Sequence, residues 1–241
     1  MTARAAFATR IRSAGCCTAA RRREPMRRAT PIGLALLLGG CDLGAITGGV
    51  RGDGVRKSET RQVAAFDQVA VLGGGTVELL IGPAGPLEIT MDQNLLPLIR
   101  TEVKDGRLVI EPTEPIRSRQ GFAIRVATPD VRRIESTGAA RITVTGVSNA
   151  RLELQLSGAG SVTASGRTDA LVANGTGAVR IMADGLEARQ VDIDLTGACH
   201  GEVHATEALD AAITGAGSVV YRGDPKVTQR LTGAGSVKKR D

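Results

Sequence analysis

The sequence is almost without aromatic side chains: tryptophan is absent, and its 241 residues include one tyrosine and three phenylalanines. A core must then be filled by Val, Ile, Leu and Ala, which suits a thin repetitive architecture better than a wide globular one. Sulfur and imidazole are scarce as well, with four cysteines and two histidines. With Cys16, Cys17 and Cys41 assigned to a leader and its processing, Cys199 is the only free thiol and no disulfide framework is expected, and two histidines make no zinc-type ligand set. No apolar run is long enough to cross a bilayer as a mature helix, and no cofactor is implied. A surplus of charge is lacking too, once the chain is divided. The formal +6 arises in residues 1–40, which hold eight arginines against one acid, Glu24; the remainder carries 23 basic and 24 acidic residues. Nothing in that balance calls for a nucleic-acid partner.

The arginines belong to a leader. From Met26 the chain reads MRRATPIGLALLLGGC: two arginines, an apolar run from Ile32 to Leu38, then small residues and a cysteine. These are the three regions of an export signal. The ending Leu38-Gly39-Gly40-Cys41 resembles the bacterial lipobox, whose cysteine is diacylated and becomes the first residue of the mature protein. Residues 1–25, with Cys16-Cys17 and three consecutive arginines, fit no export signal. They are expected to be an upstream extension of the reading frame, with Met26 the true start. Residues 1–40 thus read as a signal peptide with that extension. Cys41 reads as a lipidation site holding the protein to a bilayer of the bacterial cell envelope, facing the periplasm. Asp42 after it resembles the inner-membrane retention signal of enterobacterial lipoproteins. Residues 41–60, rich in glycine and charge, read as a flexible tether. Their Arg51-Gly52-Asp53 matches an integrin-type tripeptide, too short a match to carry a function.

From Phe66 the pattern changes to short strands and glycine turns. Val69–Val71, Thr76–Ile81, Leu87–Ile89, Leu108–Ile110 and Phe122–Val126 are strand candidates, and Asp105-Gly106 is a tight-turn signal. A helical period is suggested only around Asn94 to Val103.

Further on, one phrase recurs: LSGAGSVTASG at 156–166, ITGAGSVVYRG at 213–223, LTGAGSVKKRD at the end. Aligned on its first glycine, the phrase has six copies, at Gly138, Gly158, Gly177, Gly197, Gly215 and Gly233, at intervals of 18 to 20 residues. A repeat of that period indicates a solenoid. Two, four and six positions before the glycine stand Leu156, Leu154 and Leu152, and likewise Leu195, Ile193 and Val191, all on one face of a strand. Four positions after it Ile142, Val162, Ile181, Val219 and Val237 begin a second strand, which Gly146, Gly166, Gly185 and Gly223 close. The six glycines are corners, because glycine takes positive φ and lets coils stack closely. No helix or Lys-Ser/Thr follows, so the phrase is not a phosphate loop. The irregular period breaks the six-residue multiple of left-handed hexapeptide helices, and calcium-binding nonapeptide rolls need an Asp that is missing. The fold class expected is all-β, a right-handed parallel β-helix over 61–241 with its regular repeats in 131–241.

Three groups of residues bear on chemistry. Cys199-His200 with His204 resembles a nucleophile with a base, but Cys199 occupies the inward position of Gly160, Gly217 and Gly235, and His200 that of outward Ser161, Ser218 and Ser236. Asp192 and Asp210 stand five residues before their glycines and should stack on adjacent coils, with Asp194 two residues along. They could bind Ca²⁺ or act as acid and base on a polysaccharide; solvated surface is the plainer reading. The residue before each corner is a hydroxyl in all six copies: Thr137, Ser157, Thr176, Thr196, Thr214 and Thr232. These are expected to hydrogen-bond backbone groups left unpaired by the corner, so that Thr196→Val costs about 0.5–1.5 kcal/mol.

The ordered set of motifs also resembles a family, the head GIN domain family of auto-transporter adhesins. The resemblance covers roughly 60–241 and rests on Leu95-Leu96-Pro97-Leu98-Ile99, Asp105 to Ile110, Ile134, the serial glycine phrases, Val219 to Pro225, and the closing Gly233 to Lys238. It implies a right-handed β-helix in the bacterial envelope, often lipid-anchored, and offers no catalytic residues. Two functions remain open. One is a membrane-anchored, non-enzymatic binding or structural module with an envelope glycan or protein as ligand. The other is a polysaccharide-active enzyme using Asp192, Asp194 and Asp210.

Overall fold

The computed structural model describes residues 48–240. The expected signal peptide and its extension, Met26, Cys41 and the start of the tether lie outside the described residues. Seventeen strands follow in chain order. The N-terminal part contains β1 (Val50–Arg51), β2 (Arg56–Arg61), β3 (Gln68–Gly73), β4 (Gly75–Ile81), β5 (Leu87–Asp92), β6 (Ile99–Lys104), β7 (Arg107–Pro112), β8 (Ile116–Arg117) and β9 (Phe122–Thr128). The repeats contain β10 (Arg133–Gly138), β11 (Arg141–Gly158), β12 (Ser161–Gly177), β13 (Arg180–Gly197), β14 (His200–Gly215), β15 (Ser218–Arg222), β16 (Lys226–Gly233) and β17 (Ser236–Lys239). β1 and β8 pair as a separate two-stranded sheet, and the other fifteen form one sheet whose parallel strands wind a β-helix of about five turns.

Each long strand bends through a coil and so contributes to two stacks. The first stack runs β7, β3, β10, the C-terminal parts of β11 to β14, then β16, all parallel. The second runs β9, β4, the N-terminal parts of β11 to β14, then β15 and β17. Alternation divides every strand into an inner and an outer row. Leu152, Leu154, Val191, Ile193, Leu195, Leu209, Ala211 and Ile213 are at most 3% exposed, as are Ile142, Val162, Ile181 and Val219 opposite them. Each large one contributes about 1.5–3 kcal/mol by burial. Gly175 breaks the inner row because space is short: a Cβ there would lie 2.7 Å from Val179 and 2.9 Å from Leu195.

The corner between the stacks is uniform. Its six glycines are register partners of one another and have φ between +105° and +121°. A Cβ on any of them would sit 2.4–2.7 Å from the carbonyl oxygen of the corner glycine one coil earlier. That oxygen is already engaged, accepting from the alanine that follows the next coil's corner glycine: Ala178 N–H donates to Gly158 O at 2.8 Å, and Ala198 N–H to Gly177 O at 2.8 Å. Gly73, in the first stack ahead of Gly138, is a further member with φ +99°.

The second corner is not uniform. Gly166 pairs with Leu186, whereas Gly185 pairs with Ser165, and the register shifts between Thr163 and Ser165 and again between Ala183 and Glu187. Coils of different length are accommodated here, while the first corner stays in step.

The N-terminal end is closed by other means. β5 pairs antiparallel with both β2 and β9, and β6 pairs antiparallel with β7 through Asp105-Gly106, both at positive φ. The helical period expected over Asn94 to Val103 is realised only in part: a 3-10 helix spans Gln93–Leu98, burying Leu95 and Leu96, and Ile99 onward is β6. Pro97 lacks an N–H for a longer helix, and pairing with β7 takes the residues that follow. The tether also departs from expectation. Residues 56–60 are not free linker but part of β2, an exposed polar strand held by its ladder to β5. Arg61 at its end donates to the carbonyls of Ile99 at 2.6 Å and Leu96 at 2.9 Å.

Gly177→Ala is expected to destabilise the fold by about 3 kcal/mol, from positive-φ strain and the collision with Gly158 O. Gly185→Ala, with negative φ and nothing nearer than 3.4 Å, should stay within about 0.5 kcal/mol. Denaturant midpoints of the two variants check both; equal losses would refute the account of the corner.

Candidate functional site

The outer row of the first stack carries most of the residues singled out from sequence. Thr137, Ser157, Thr176, Thr196, Thr214 and Thr232 are all exposed and stand in register one above the next. They do not serve the corner as expected. Its amides are satisfied coil to coil by glycine carbonyls, and among the described residues none of the six hydroxyls has a hydrogen-bond partner. The stacked oxygen one coil away reaches the corner N–H in line, which a hydroxyl on the outer side of the strand cannot. Beside this column Glu135, Gln155, Asn174 and Asp194 form a second one. Between the two, a shallow groove of about 250 Å³ is lined by Thr137, Ser157, Thr176 and their neighbours.

Asp192 and Asp210 are register partners on adjacent strands, and Asp194 stands opposite Ala212. Asp210 is also paired with Arg230 at 3.0 Å. Two carboxylates are therefore brought together and the third lies along the strand. No group of three or more potential metal ligands occurs among the described residues.

Cys199 is 3% exposed, with Sγ 3.4 Å from Thr196 O and 3.5 Å from Gly177 O, turned away from His200. His200 instead joins Ser218 Oγ at 2.8 Å and Glu202 at 3.2 Å. The hydrogen bond from His200, followed by Arg240, holds the Glu202 carboxyl below its ordinary range despite partial burial. This line has the connectivity of a serine–histidine–acid relay. However, the amides beside it are spent, Ala216 N–H on Gly197 O and Ser218 N–H on Cys199 O, and so cannot stabilise an oxyanion. His204 stands on β14 opposite Arg222.

A different feature, not anticipated from sequence, follows the corner edge. A cleft of about 710 Å³ at the N-terminal end is lined by Arg51, Arg56, Arg117 and Arg119 with Asp53 and Asp92. A separate groove of about 260 Å³ adjoins it at Gln120 and is lined by Arg141 and Arg180, with Gly160 between them. Arg141, Ser161, Arg180 and His200 are successive register partners at the start of the second stack. The Arg51-Gly52-Asp53 tripeptide is built into this end. Asp53 accepts from Val55 N–H and its own N–H donates to Asn94, while Gly52 lies against Asp92 too closely for any Cβ. Sequence reasoning missed the groove because its arginines lie far apart in the chain. Only coil register brings them into one line, and the near-neutral total hides their separation from the acids.

Residues 65–225 match the family described as "Putative auto-transporter adhesin, head GIN domain". Among solved structures, the chain is similar to a "putative adhesin" from Bacteroides fragilis, with TM-score 0.67 and 21% identity over 80% of this chain and 100% of that one. It is also similar to a "putative lipid binding protein" from Parabacteroides distasonis, with TM-score 0.54 and 20% identity over 80% and 99%. A "putative adhesin" from Parabacteroides merdae gives TM-score 0.52 and 18% identity over the same shares. At these identities the likeness is one of fold. No curated protein matches the chain.

Two outcomes are expected from this geometry. Thr196→Val, which removes an exposed and unpartnered hydroxyl, should leave the denaturation midpoint within about 0.5 kcal/mol of wild type; a larger loss would mean that the hydroxyl supports the corner after all. The Cys199 thiol should resist alkylation in the native protein and react once denaturant is added, and rapid native labelling would contradict its inward placement.

Proposed function

The chain belongs to the head GIN domain family, and on that premise we propose that it is an adhesin-like envelope protein. It is held to a bilayer by acylated Cys41 and binds its ligand across the outer faces of its coils, without chemistry upon it. The observation that carries this reading is the register of the outer rows. Hydroxyls stand in six successive rungs with their hydrogen-bonding capacity unspent, a surface extended along the axis and suited to an extended partner. Sequence adds the anchor, in the two arginines, apolar run and Leu38-Gly39-Gly40-Cys41 of the leader. Domain limits follow: 1–40 removed, 41 to about 49 as tether, and the folded domain from β1 onward.

The enzymatic alternative has less behind it. Asp192 and Asp210 do stand side by side, but Asp210 is engaged by Arg230 and Asp194 has no carboxylate opposite, so the three acids do not act as one group on a scissile bond.

Wild-type protein is expected to partition into the detergent phase, and Cys41→Ser to remain in the aqueous phase. The soluble variant should then bind isolated envelope fractions saturably without shortening their polysaccharides. An unlipidated N-terminus elsewhere would overturn the anchor; polysaccharide turnover lost in Asp192→Asn would favour the enzyme.

A further inference from the structure

The corner edge of the solenoid carries a charge pattern that the rest of its surface lacks. Elsewhere the arginines are matched to acids, with Arg222 on β15 the exception among the described residues. Arg133 joins Glu135 and Glu153, Arg167 joins Glu187, and Arg189 lies between Asp169 and Glu207. Along the edge they are not. Arg51, Arg117, Arg119, Arg141 and Arg180 are exposed, and among the described residues none of their side chains has a hydrogen-bond or ion-pair partner. Arg56 donates to the carbonyls of Gly121 and Thr90, at 2.8 and 3.1 Å. The cleft also holds two carboxylates, Asp92, which accepts from Ser118 Oγ at 2.7 Å, and Asp53, which accepts from Val55 N–H at 2.9 Å, so its four arginines are in excess but not alone. The cleft and the groove both border Gln120, so the cations lie along adjoining parts of one basic edge, a channel interrupted only at that residue.

We infer that this channel binds a linear acidic polysaccharide, a polyuronate in chemical class, laid along the solenoid axis. The assignment rests on the binding-module reading above, and it names a ligand for the corner edge in place of the hydroxyl rows. Arg141 and Arg180 are separated by the rung of Ser161, which places their Cα atoms about 10 Å apart at the usual strand spacing. An extended hexuronate is close to one rung in length, so alternate carboxylates of such a chain meet successive arginines. The guanidinium fork matches a carboxylate with two donors. The floor contributes little polar recognition, because its amides at Ser161 and Arg180 are spent on Ala140 O and Gly160 O.

The lack of aromatics narrows the class. Phe122 is 1% exposed and Tyr221 stands on β15 away from the channel, so nothing stacks on a base, as single-stranded nucleic acids require. Single exposed ion pairs are weak, and affinity must come from several engaged along one chain. Hence length matters, and salt weakens the complex.

The test uses the Cys41→Ser protein with fluorescent polygalacturonate fractions of graded length, neutral dextran, duplex DNA and phosphatidylglycerol vesicles as probes. Polygalacturonate should bind more tightly as its length grows and less tightly as salt rises, with dextran inert. R141Q/R180Q should weaken binding roughly tenfold, whereas R167Q/R189Q, which removes paired arginines on another face, should not. Unchanged affinity in R141Q/R180Q, competition by monomeric galacturonate equal to the polymer's, or tighter binding of DNA or vesicles would each overturn the assignment. Failure here is distinguishable from failure of the broader reading. Envelope binding that survives R141Q/R180Q overturns the channel alone, whereas envelope fractions that bind neither protein overturn the module.

Discussion

One contact recurs at every coil: the carbonyl of a corner glycine accepts the amide of the alanine one coil on, while the next glycine lies too close to that oxygen to bear a side chain. The two halves of this statement are inseparable. The hydrogen bond sets the approach of the coils, and the approach with positive φ admits only glycine. Once the corners are locked in step, the strands on either side have no freedom of register. Their period-two alternation then sends Leu, Ile and Val inward along the whole axis. The interior of the repeats is accordingly lined by aliphatic side chains, and the buried rings, Phe66 and Phe122, lie at the N-terminal end.

The second corner shows what happens where the contact is absent. Its glycines fall out of alignment, and bulges absorb the differences between coils of 18 and 20 residues. Strict order at one edge thus permits irregularity at another. The outer rows inherit the order without contributing to it. The hydroxyls, the paired ions and the unpaired arginines are aligned because the backbone beneath them is aligned.

That asymmetry explains what was legible from sequence. Anything imposed by the repeating contact could be read directly: the glycine period, the inward rows, the strands from Val69 to Val126 and the Asp105-Gly106 turn. The hydroxyl column was visible as a pattern, yet its role was misjudged. A Thr before a turn has two possible partners, its own backbone or solvent, and only the coil-to-coil bond decides between them. The cap was only partly visible. β2 shows no apolar alternation because both its faces are wet, so Arg56 to Thr60 looks like linker until β5 is seen beside it. The basic channel was hidden entirely, as Arg51, Arg117 and Arg180 share no local motif and meet only through the winding of the chain.

A backbone secured by one glycine and a few inward aliphatics per coil leaves most of its outward letters free to drift. Substitutions there neither strain a turn nor open a cavity, so the surface can be rewritten stepwise while the scaffold persists. Lengthening is equally simple, because an inserted coil needs to match only its two neighbours. Lineages that inherit such a chain can therefore change what they hold on to without having to solve the folding problem again.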